Sequence, residues 1–363
     1  MSAAPVVVTH ALGQYPVHVE PGALDRLEAL VAEHLAAARV VMIADSAVYA
    51  LLQAGRLGRT PWTGAALAFP PGEASKSREQ WTRLTDALLE QGYGRDSGIV
   101  ALGGGVAGDL GGFVAATYMR GLPYLQVPTS LLAMLDASVG GKTAVDTPQG
   151  KNLIGAFHPP VAVLADPRVL ATLPARDFIG GMAEAVKHGL IADEEYFRWM
   201  EREAEALLAR DESALTRLVR RSVEIKAEVV SSDERETGRR AILNAGHTVA
   251  HALEQVTAYA IPHGEAVALG LAAECALAEA LGVASVGISA RVTTLLARLG
   301  LPVRLTEPVD AGRLIAAMAS DKKNRGARVR LALPTRLGDM DSSGGWTQEV
   351  PEAALRGALQ AIS

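Results

Sequence analysis

Three of the chain's eight histidines fall in one short stretch, Asn244-Ala-Gly-His247-Thr-Val-Ala-His251, continued by Ile261-Pro-His263-Gly-Glu265. His247 and His251 are four apart, so on a helix both imidazoles project from one face, one turn from each other. That is the geometry of a metal-binding helix. The alanines around them favour helix, and Pro262 predicts a turn that delivers His263 to the start of the next one. The zinc-protease pattern fails, because Thr248 stands where it needs glutamate. Most histidines at this spacing are ordinary surface or core residues, so a metal site needs a carboxylate from elsewhere. Gly180-Gly181-Met-Ala-Glu184-Ala-Val-Lys187-His188 offers one. Glu184 sits in a nearly uncharged patch, where a carboxylate is costly unless paired or bound to metal. Lys187 shares its helix face, so a plain Glu–Lys pair is the competing reading. Glu184, His247 and His263 together give one carboxylate and two imidazoles, a set that suits catalytic zinc with positions open for substrate. Lys226, Arg240 and Asn244 add cations and an amide.

A second group is built on glycine. Gly103, Gly105 and Gly108 satisfy G-x-G-x-x-G after a strand-like run and before a helix. In that context backbone N–H groups approach a pyrophosphate at a helix N-terminus. Two things depart from a standard Rossmann unit: the motif follows a later strand, and no acid closes the next strand about 20 residues on. Ser138-Val-Gly-Gly-Lys142-Thr143 looks like a P-loop tail, but Asp136 stands where that motif needs glycine, which excludes nucleoside triphosphate binding. Gly150-Lys151-Asn152 repeats the Gly-Lys theme, and two such turns suggest a phosphate-bearing ligand, with solvated loop lysines as the plainer reading.

These groups need a scaffold, and 363 residues suffice for two domains. Aromatics are only 4% against 49% apolar residues, so the cores must be built from Ala, Val and Leu. The net charge of −5 is well mixed and includes no basic tract for nucleic acid. One cysteine, Cys275, excludes a disulfide framework and fits a reducing cytosol. No signal peptide and no membrane span are expected. Strands are predicted at 6–8, 15–19, 39–45, 66–69, 97–102, 124–127 and 161–165, with helices at 22–37, before residue 53 and at 76–91. This alternation implies a parallel sheet with helices on its faces. From about 175 the pattern turns helical, at 177–190, 193–210, 211–230, 243–259, 264–281 and 287–299, with a short strand at 329–333 and a terminal helix after Pro351. The boundary is placed near Thr172-Leu-Pro174. The expectation is an α/β Rossmann-like NAD-binding domain, 1–174, followed by an all-α metal- and substrate-binding domain, 175–363.

Several motifs, in order from about residue 5 to the C-terminus, resemble the 3-dehydroquinate synthase family of sugar phosphate cyclases. They are Ala101-Leu-Gly-Gly-Gly-Val-Ala-Gly-Asp109, Gly112-Phe-Val-Ala-Ala-Thr-Tyr-Met-Arg-Gly121, Gln126-Val-Pro-Thr-Ser-Leu131, Gly181-Met-Ala-Glu-Ala-Val-Lys187, Leu243-Asn-Ala-Gly-His-Thr248, His263-Gly-Glu-Ala-Val267 and Asp321-Lys-Lys323, beside the two Gly-Lys turns. The resemblance implies Glu184, His247 and His263 as ligands of a divalent zinc or cobalt ion, and His251 as a substrate-side residue, against the helical-pair reading. It implies an NAD site of Asp45, Pro71, Gly72, Glu73, Lys76, Gly105, Val106, Gly108, Asp109, Thr129, Ser130, Lys142, Lys151 and Thr172. It implies a substrate pocket of Arg120, Asp136, Lys142, Asn152, Lys187, Lys226, Arg240, Asn244, His251 and Lys322 or Lys323, with Arg120 reaching the neighbouring subunit of a homodimer. Ser46, Ser130 and Pro159 depart from the residues frequent in the family, on the cofactor side and a loop edge.

The implied activity is that of a cytoplasmic phosphorus–oxygen lyase of the shikimate pathway of aromatic amino acid biosynthesis. It turns 3-deoxy-D-arabino-heptulosonate 7-phosphate into 3-dehydroquinate and phosphate. A metal on vicinal hydroxyls acidifies the one to be oxidised. NAD takes a hydride and later returns it. The intervening ketone acidifies the adjacent C–H, so phosphate leaves; ring opening and an aldol closure follow. The phosphate itself is a fitting base, since no single side chain stands out as one. A metal-dependent NAD polyol dehydrogenase of the same fold would not need the phosphate-binding cations. Another sugar phosphate cyclase is disfavoured by Arg240 and Asn244, and a non-catalytic relative by the completeness of the set.

Overall fold

The computed structural model describes residues 4–58, 62–320 and 328–363. Its contacts divide the chain into two compact units, Met1–Pro174 with Leu215–Ser231, and Ala175–Ala214 with Ser232–Ser363. The break after Pro174 falls where the sequence changes from strand-helix alternation to helical period. The return of Leu215–Ser231 to the first unit does not follow from that change, and the expected domain 175–363 is interrupted there.

The first unit is built on a seven-stranded sheet. Its strands in chain order are β1 (Val6–His10), β2 (Gly13–Val19), β3 (Arg39–Asp45), β4 (Ala65–Phe69), β5 (Ser97–Gly103), β6 (Tyr124–Pro128) and, after the hairpin β7 (Lys142–Thr147) and β8 (Gly150–Phe157), β9 (Ala162–Ala165). The order across the sheet is β1-β2-β9-β6-β5-β3-β4, parallel throughout except for β1 against β2. Every residue of β5, β6 and β9 is buried. Such strands read as continuous apolar runs because helices cover both faces. Helices α1 (Leu27–His34), α2 (Ser46–Gln53), α3 (Arg78–Glu90) and α4 (Gly105–Thr117) follow β2, β3, β4 and β5. Leu84 and Leu88 of α3 and Leu110, Phe113 and Val114 of α4 join Val41, Ile43, Ile99 and Ala101 in one core. Each large side chain buried there contributes roughly 1.5–3 kcal/mol.

The connections reverse within this sheet. From β3 the chain steps outward to β4, then returns to β5 and continues the other way through β6 to β9. The carboxyl ends of β3 and β5 therefore flank a topological switch point, the place where open parallel sheets bind ligands.

The second unit is mainly helical: α5 (Ala175–Ala192), α6 (Glu194–Leu208), α8 (His247–Val256), α9 (His263–Ala280), α10 (Ile288–Arg298), α11 (Ala311–Ser320) and α12 (Glu352–Ala361), with α7 (Glu212–Ser232) lying largely in the first unit. Helix α9 is buried nearly all round by α5, α8, α10 and α12, which explains its Ala/Leu composition without a polar face. The unit is not purely helical. Arg330–Leu331 pairs with Gln348–Glu349, and Pro334–Arg336 with Asp339–Met340. The expected strand at 329–333 is thus the start of two small ladders, and α11 is a helix the periodicity did not announce. Helix starts are capped as expected of Ser and Asp: Ser77 accepts from the Gln80 N–H at 3.3 Å, and Asp193 from that of Tyr196 at 2.9 Å.

Candidate active site

In the first unit the glycine motif lies at the switch point. Gly103 ends β5 with φ +147°, a conformation that favours glycine, and a Cβ there would meet Ala107 at 2.6 Å and the Asp45 Cβ at 3.3 Å. The end of the neighbouring β3 thus brings an acid, Asp45, beside this turn. Asp45 accepts from the Ala47 and Val48 N–H groups at 2.9 and 3.2 Å, capping α2. Gly108 lets α4 lie on the sheet, since a Cβ would come within 1.9 Å of the Gln126 amide. Gly104, the cap of α4, brings no side chain to its first N–H groups. Thr129 and Ser130 follow β6; the Thr129 N–H donates to the Gly103 carbonyl at 2.8 Å. A glycine turn, bare helix N-terminus and adjacent acid fit a dinucleotide.

Beside this turn lies a charge cluster. Pro71 and Gly72 turn the chain after β4, and the buried Lys76 ammonium reaches Asp109 of α4 at 2.5 Å and Glu73 at 4.0 Å. Burial pushes the Asp109 carboxyl above its ordinary range despite that lysine. Burial opposes the charge on Lys76, yet Asp109 and Glu73 outweigh it and raise its pKa. Lys151 lies 3.8 Å from Glu73. Thr172 caps a short turn through the Val169 carbonyl, 2.8 Å away.

The two Gly-Lys turns prove to be the two ends of a hairpin that the sequence pattern did not reveal. Lys142 opens β7, and Lys151 and Asn152 open β8. Asp146 ties this region together: its carboxylate accepts from the Asn152 N–H at 2.9 Å, and its own N–H donates to the Lys76 carbonyl at 2.7 Å. Asn152 takes φ +56° there. Asp136 lies in a π-turn, Ala133–Ala137, an irregularity frequent at functional sites. The Lys226 ammonium of α7 is bound by both the Asp136 carboxylate, at 2.9 Å, and its carbonyl. Arg120 is exposed, with φ +68° following Met119 at φ +51°.

In the second unit the structure brings Glu184, His247 and His263 together, with one ligand atom from each within 4.8 Å of the others. Glu184 Oε1 is 3.4 Å from His247 Nε2 and 3.7 Å from His263 Nε2. Its other oxygen pairs with the Lys187 ammonium, both groups being 1% exposed. Burial, then the Lys187 charge, lowers His247 to about 4, so this imidazole is neutral. Its Nδ1 faces the Ala245 carbonyl at 3.1 Å, which leaves the Nε2 lone pair for a ligand. For His263 burial opposes the charge, but Glu184 and Glu254 prevail and raise it to about 9. Two imidazoles and a carboxylate at this spacing fit a divalent metal. His251 packs edge-on to His247, with ring centroids 5.7 Å apart, and forms with Glu254 and His263 a second cluster of possible ligands.

Backbone contacts fix this geometry. A Cβ on Gly264, next to His263, would lie 2.2 Å from the Gly180 carbonyl oxygen, one turn before Glu184. A Cβ on Gly270 would lie 1.9 Å from that of Gly246, the residue before His247. Helix α9 therefore touches both other ligand-bearing segments backbone to backbone. Gly246 takes φ +79°, and its N–H donates to the buried Glu274 at 2.6 Å. The sequence reading gave no role to Glu254 or Glu274; acids buried in Ala/Leu helices were the signal that could have found them.

Arg240 and Asn244 are set by a loop wound on Asp233, which accepts from the N–H groups of Thr237, Gly238 and Arg240 at 3.0, 2.7 and 3.0 Å. Partial burial works against that charge, but the bonds outweigh it and hold the carboxyl below its ordinary range. Arg240 is 2% exposed and donates to the Glu234 carbonyl. The Asn244 amide donates to Glu236 at 2.6 Å. Lys322 and Lys323 lie outside the described residues.

This combination of sheet, glycine turn and helical unit is the fold of the sugar phosphate cyclases. A 2-deoxy-scyllo-inosose synthase solved with carbaglucose-6-phosphate, NAD+ and Co2+ superposes with a TM-score of 0.87 at 26% identity, over 98% of this chain and 99% of that one. A 2-epi-5-epi-valiolone synthase from Streptomyces hygroscopicus, with NAD+ and Zn2+ bound, gives 0.84 at 29% identity over 96% of each chain. Residues 66–180 match the 3-dehydroquinate synthase N-terminal family and residues 181–324 the 3-dehydroquinate synthase C-terminal family. A 3-dehydroquinate synthase from Symbiobacterium thermophilum is 46% identical over 354 residues, 96% of this chain and 98% of the relative. The chain belongs to the 3-dehydroquinate synthase family.

Proposed function

We propose that the chain is a 3-dehydroquinate synthase, a lyase that converts 3-deoxy-D-arabino-heptulosonate 7-phosphate to 3-dehydroquinate and phosphate. The observation that carries this reading is the Glu184, His247 and His263 set in one unit with the buried cations Lys187 and Arg240. Metal ligands accompanied in one unit by buried cations suit a phosphorylated polyol, whose phosphate calls for positive partners. When bound, NAD supplies a reversible hydride acceptor and the zinc or cobalt ion polarises the substrate's hydroxyls.

Glu184, His247 and His263 would hold the ion. Asp45, Pro71, Gly72, Glu73, Lys76, Gly105, Val106, Gly108, Asp109, Thr129, Ser130, Lys142, Lys151 and Thr172 would hold NAD. Within the second unit Lys187, Arg240, Asn244 and His251 are the proposed substrate-side residues, with Arg240 and His251 suited to phosphate oxygens; within the first unit the proposed substrate-side residues are Asp136, Lys142, Asn152 and Lys226. Lys187 keeps the second oxygen of Glu184 neutralised, so the carboxylate presents one oxygen to the ion. The leaving phosphate is the base for the C–H next to the transient ketone. A cytoplasmic homodimer completes the reading. The dimer is supported by the outer strand β8, whose Leu153, Ile154 and Phe157 are exposed, an edge of the kind that pairs with another chain. Among the described residues no helix is long and apolar enough to cross a membrane.

The test is product identity. With the heptulosonate phosphate, NAD and zinc, 3-dehydroquinate should appear in the NMR spectrum. A different carbocycle would make the chain another cyclase of the fold, and an open-chain ketone with NADH would make it a dehydrogenase.

A further inference from the structure

We propose that Glu254 is the positioning residue that decides which ring nitrogen His263 presents to the metal. This rests on the reading that Glu184, His247 and His263 hold the ion. His263 lies between two carboxylates, with Nε2 toward Glu184 at 3.7 Å and Nδ1 3.4 Å from Glu254 Oε2. Glu254 is 4% exposed. It follows His247 and His251 on α8 at i+7 and i+3, so all three share one helix face. With its proton on Nδ1 donated to Glu254, His263 directs the Nε2 lone pair toward Glu184 and His247. His247 is set the same way, its Nδ1 facing the Ala245 carbonyl at 3.1 Å. Both ligands are thus tied at Nδ1 and offered at Nε2. The ties differ: a carbonyl holds one, and a carboxylate, which makes its imidazole the stronger donor, holds the other. The competing possibility is direct ligation, since ligand atoms of His251, Glu254 and His263 also lie within 4.8 Å of one another.

The experiment measures zinc affinity by chelator competition, and the absorption bands of the cobalt-loaded protein, for wild type, Glu254→Gln, Glu254→Met and His247→Ala. Outer carboxylates of this type change metal affinity by about 10- to 100-fold. Glu254→Gln, which keeps an acceptor without its charge, should fall at the lower end. Glu254→Met, which fills the space without an acceptor, should fall at the upper end. Glu254→Gln, which can still hold Nδ1, should keep the wild-type cobalt bands and one ion per chain, whereas Glu254→Met, which cannot, should alter the bands. Wild-type affinity in either variant overturns the proposal. So does loss of the ion, or altered cobalt bands, in Glu254→Gln, which would make Glu254 a ligand. Should Glu254→Met not fold, Glu254→Gln decides by the same criteria. If His247→Ala also retains wild-type affinity, the metal reading itself fails, which separates the two.

Discussion

The contact between Gly180 and Gly264 sets the distance between two of the proposed ligands, so Gly264→Ala tests whether helix packing builds the metal site. An alanine Cβ at 264 would lie 2.2, 2.4 and 2.6 Å from the oxygen, carbonyl carbon and Cα of Gly180, all backbone atoms. No side-chain rotation relieves that overlap. To reach van der Waals contact, α5 and α9 must part by roughly 1 Å at this point. His263 is the adjacent residue and Glu184 one turn away, so the shift passes into a site whose ligand distances tolerate about 0.2 Å. Misplacement on that scale costs about a hundredfold in a site that depends on geometry. Overpacking itself costs about 1–3 kcal/mol, which lowers Tm by roughly 2–10 °C for a unit of this size. Zinc affinity by chelator competition and a thermal melt measure both. Gly357→Ala is the control: it lies in α12 with nothing within 4 Å of the new Cβ, and should stabilise by about 0.5–1 kcal/mol. A Gly264→Ala protein with wild-type metal affinity and stability refutes the packing argument.

Three further outcomes are expected. His251→Ala should keep near-normal metal content yet lose about one to two decades of kcat/KM, the worth of a charge-assisted bond of roughly 1.5–3 kcal/mol to the phosphate; metal loss parallel to His247→Ala would restore the helical-pair reading. Zinc binding at pH 7 should release about one proton: His263, raised to about 9 by its carboxylates, must give one up, whereas His247, lowered to about 4, has none to give. Apparent affinity should therefore rise with pH toward 9, and titration calorimetry in buffers of different ionisation enthalpy would contradict this by finding no proton release. Cys275 is fully buried, which pushes its thiol far above the ordinary range, so a thiol reagent should label it only after denaturation; rapid labelling of native protein is the opposing result.

Much of the first unit was legible because its strands are apolar runs and α3 is amphipathic, with Leu84 and Leu88 turned to the core. The hairpin Lys142–Thr147 with Gly150–Phe157 was not. It stands apart from the main sheet, and its outer strand is exposed at Leu153 and Ile154, so alternation against a core is missing there. Its glycines were visible only as turns. The glycine motif was legible, but spacing along the chain could not place an acid beside it. Asp45, named only through the resemblance, ends an earlier strand and lies near the turn because β3, though distant in sequence, pairs with β5. That adjacency is topology, which local patterning does not encode. Likewise Leu215–Ser231 reads like its helical neighbours, and long-range contacts such as Lys226–Asp136 and Arg220 to the Ala4 carbonyl are what place it with the first unit. In the second unit the histidine spacing was plain, but spacing alone could not name the residues that join His247 from other segments. Helix period places His251 beside His247, whereas the joining of Glu184 and His263 to His247 depends on glycine contacts between three distant segments.

The most direct test of the central claim follows phosphate and nicotinamide in one sample of enzyme, zinc, NAD and the heptulosonate phosphate. Transient oxidation by a retained cofactor predicts one inorganic phosphate per substrate consumed and no net rise in absorbance at 340 nm. Accumulation of NADH in step with substrate loss, with the phosphate ester intact, would contradict it.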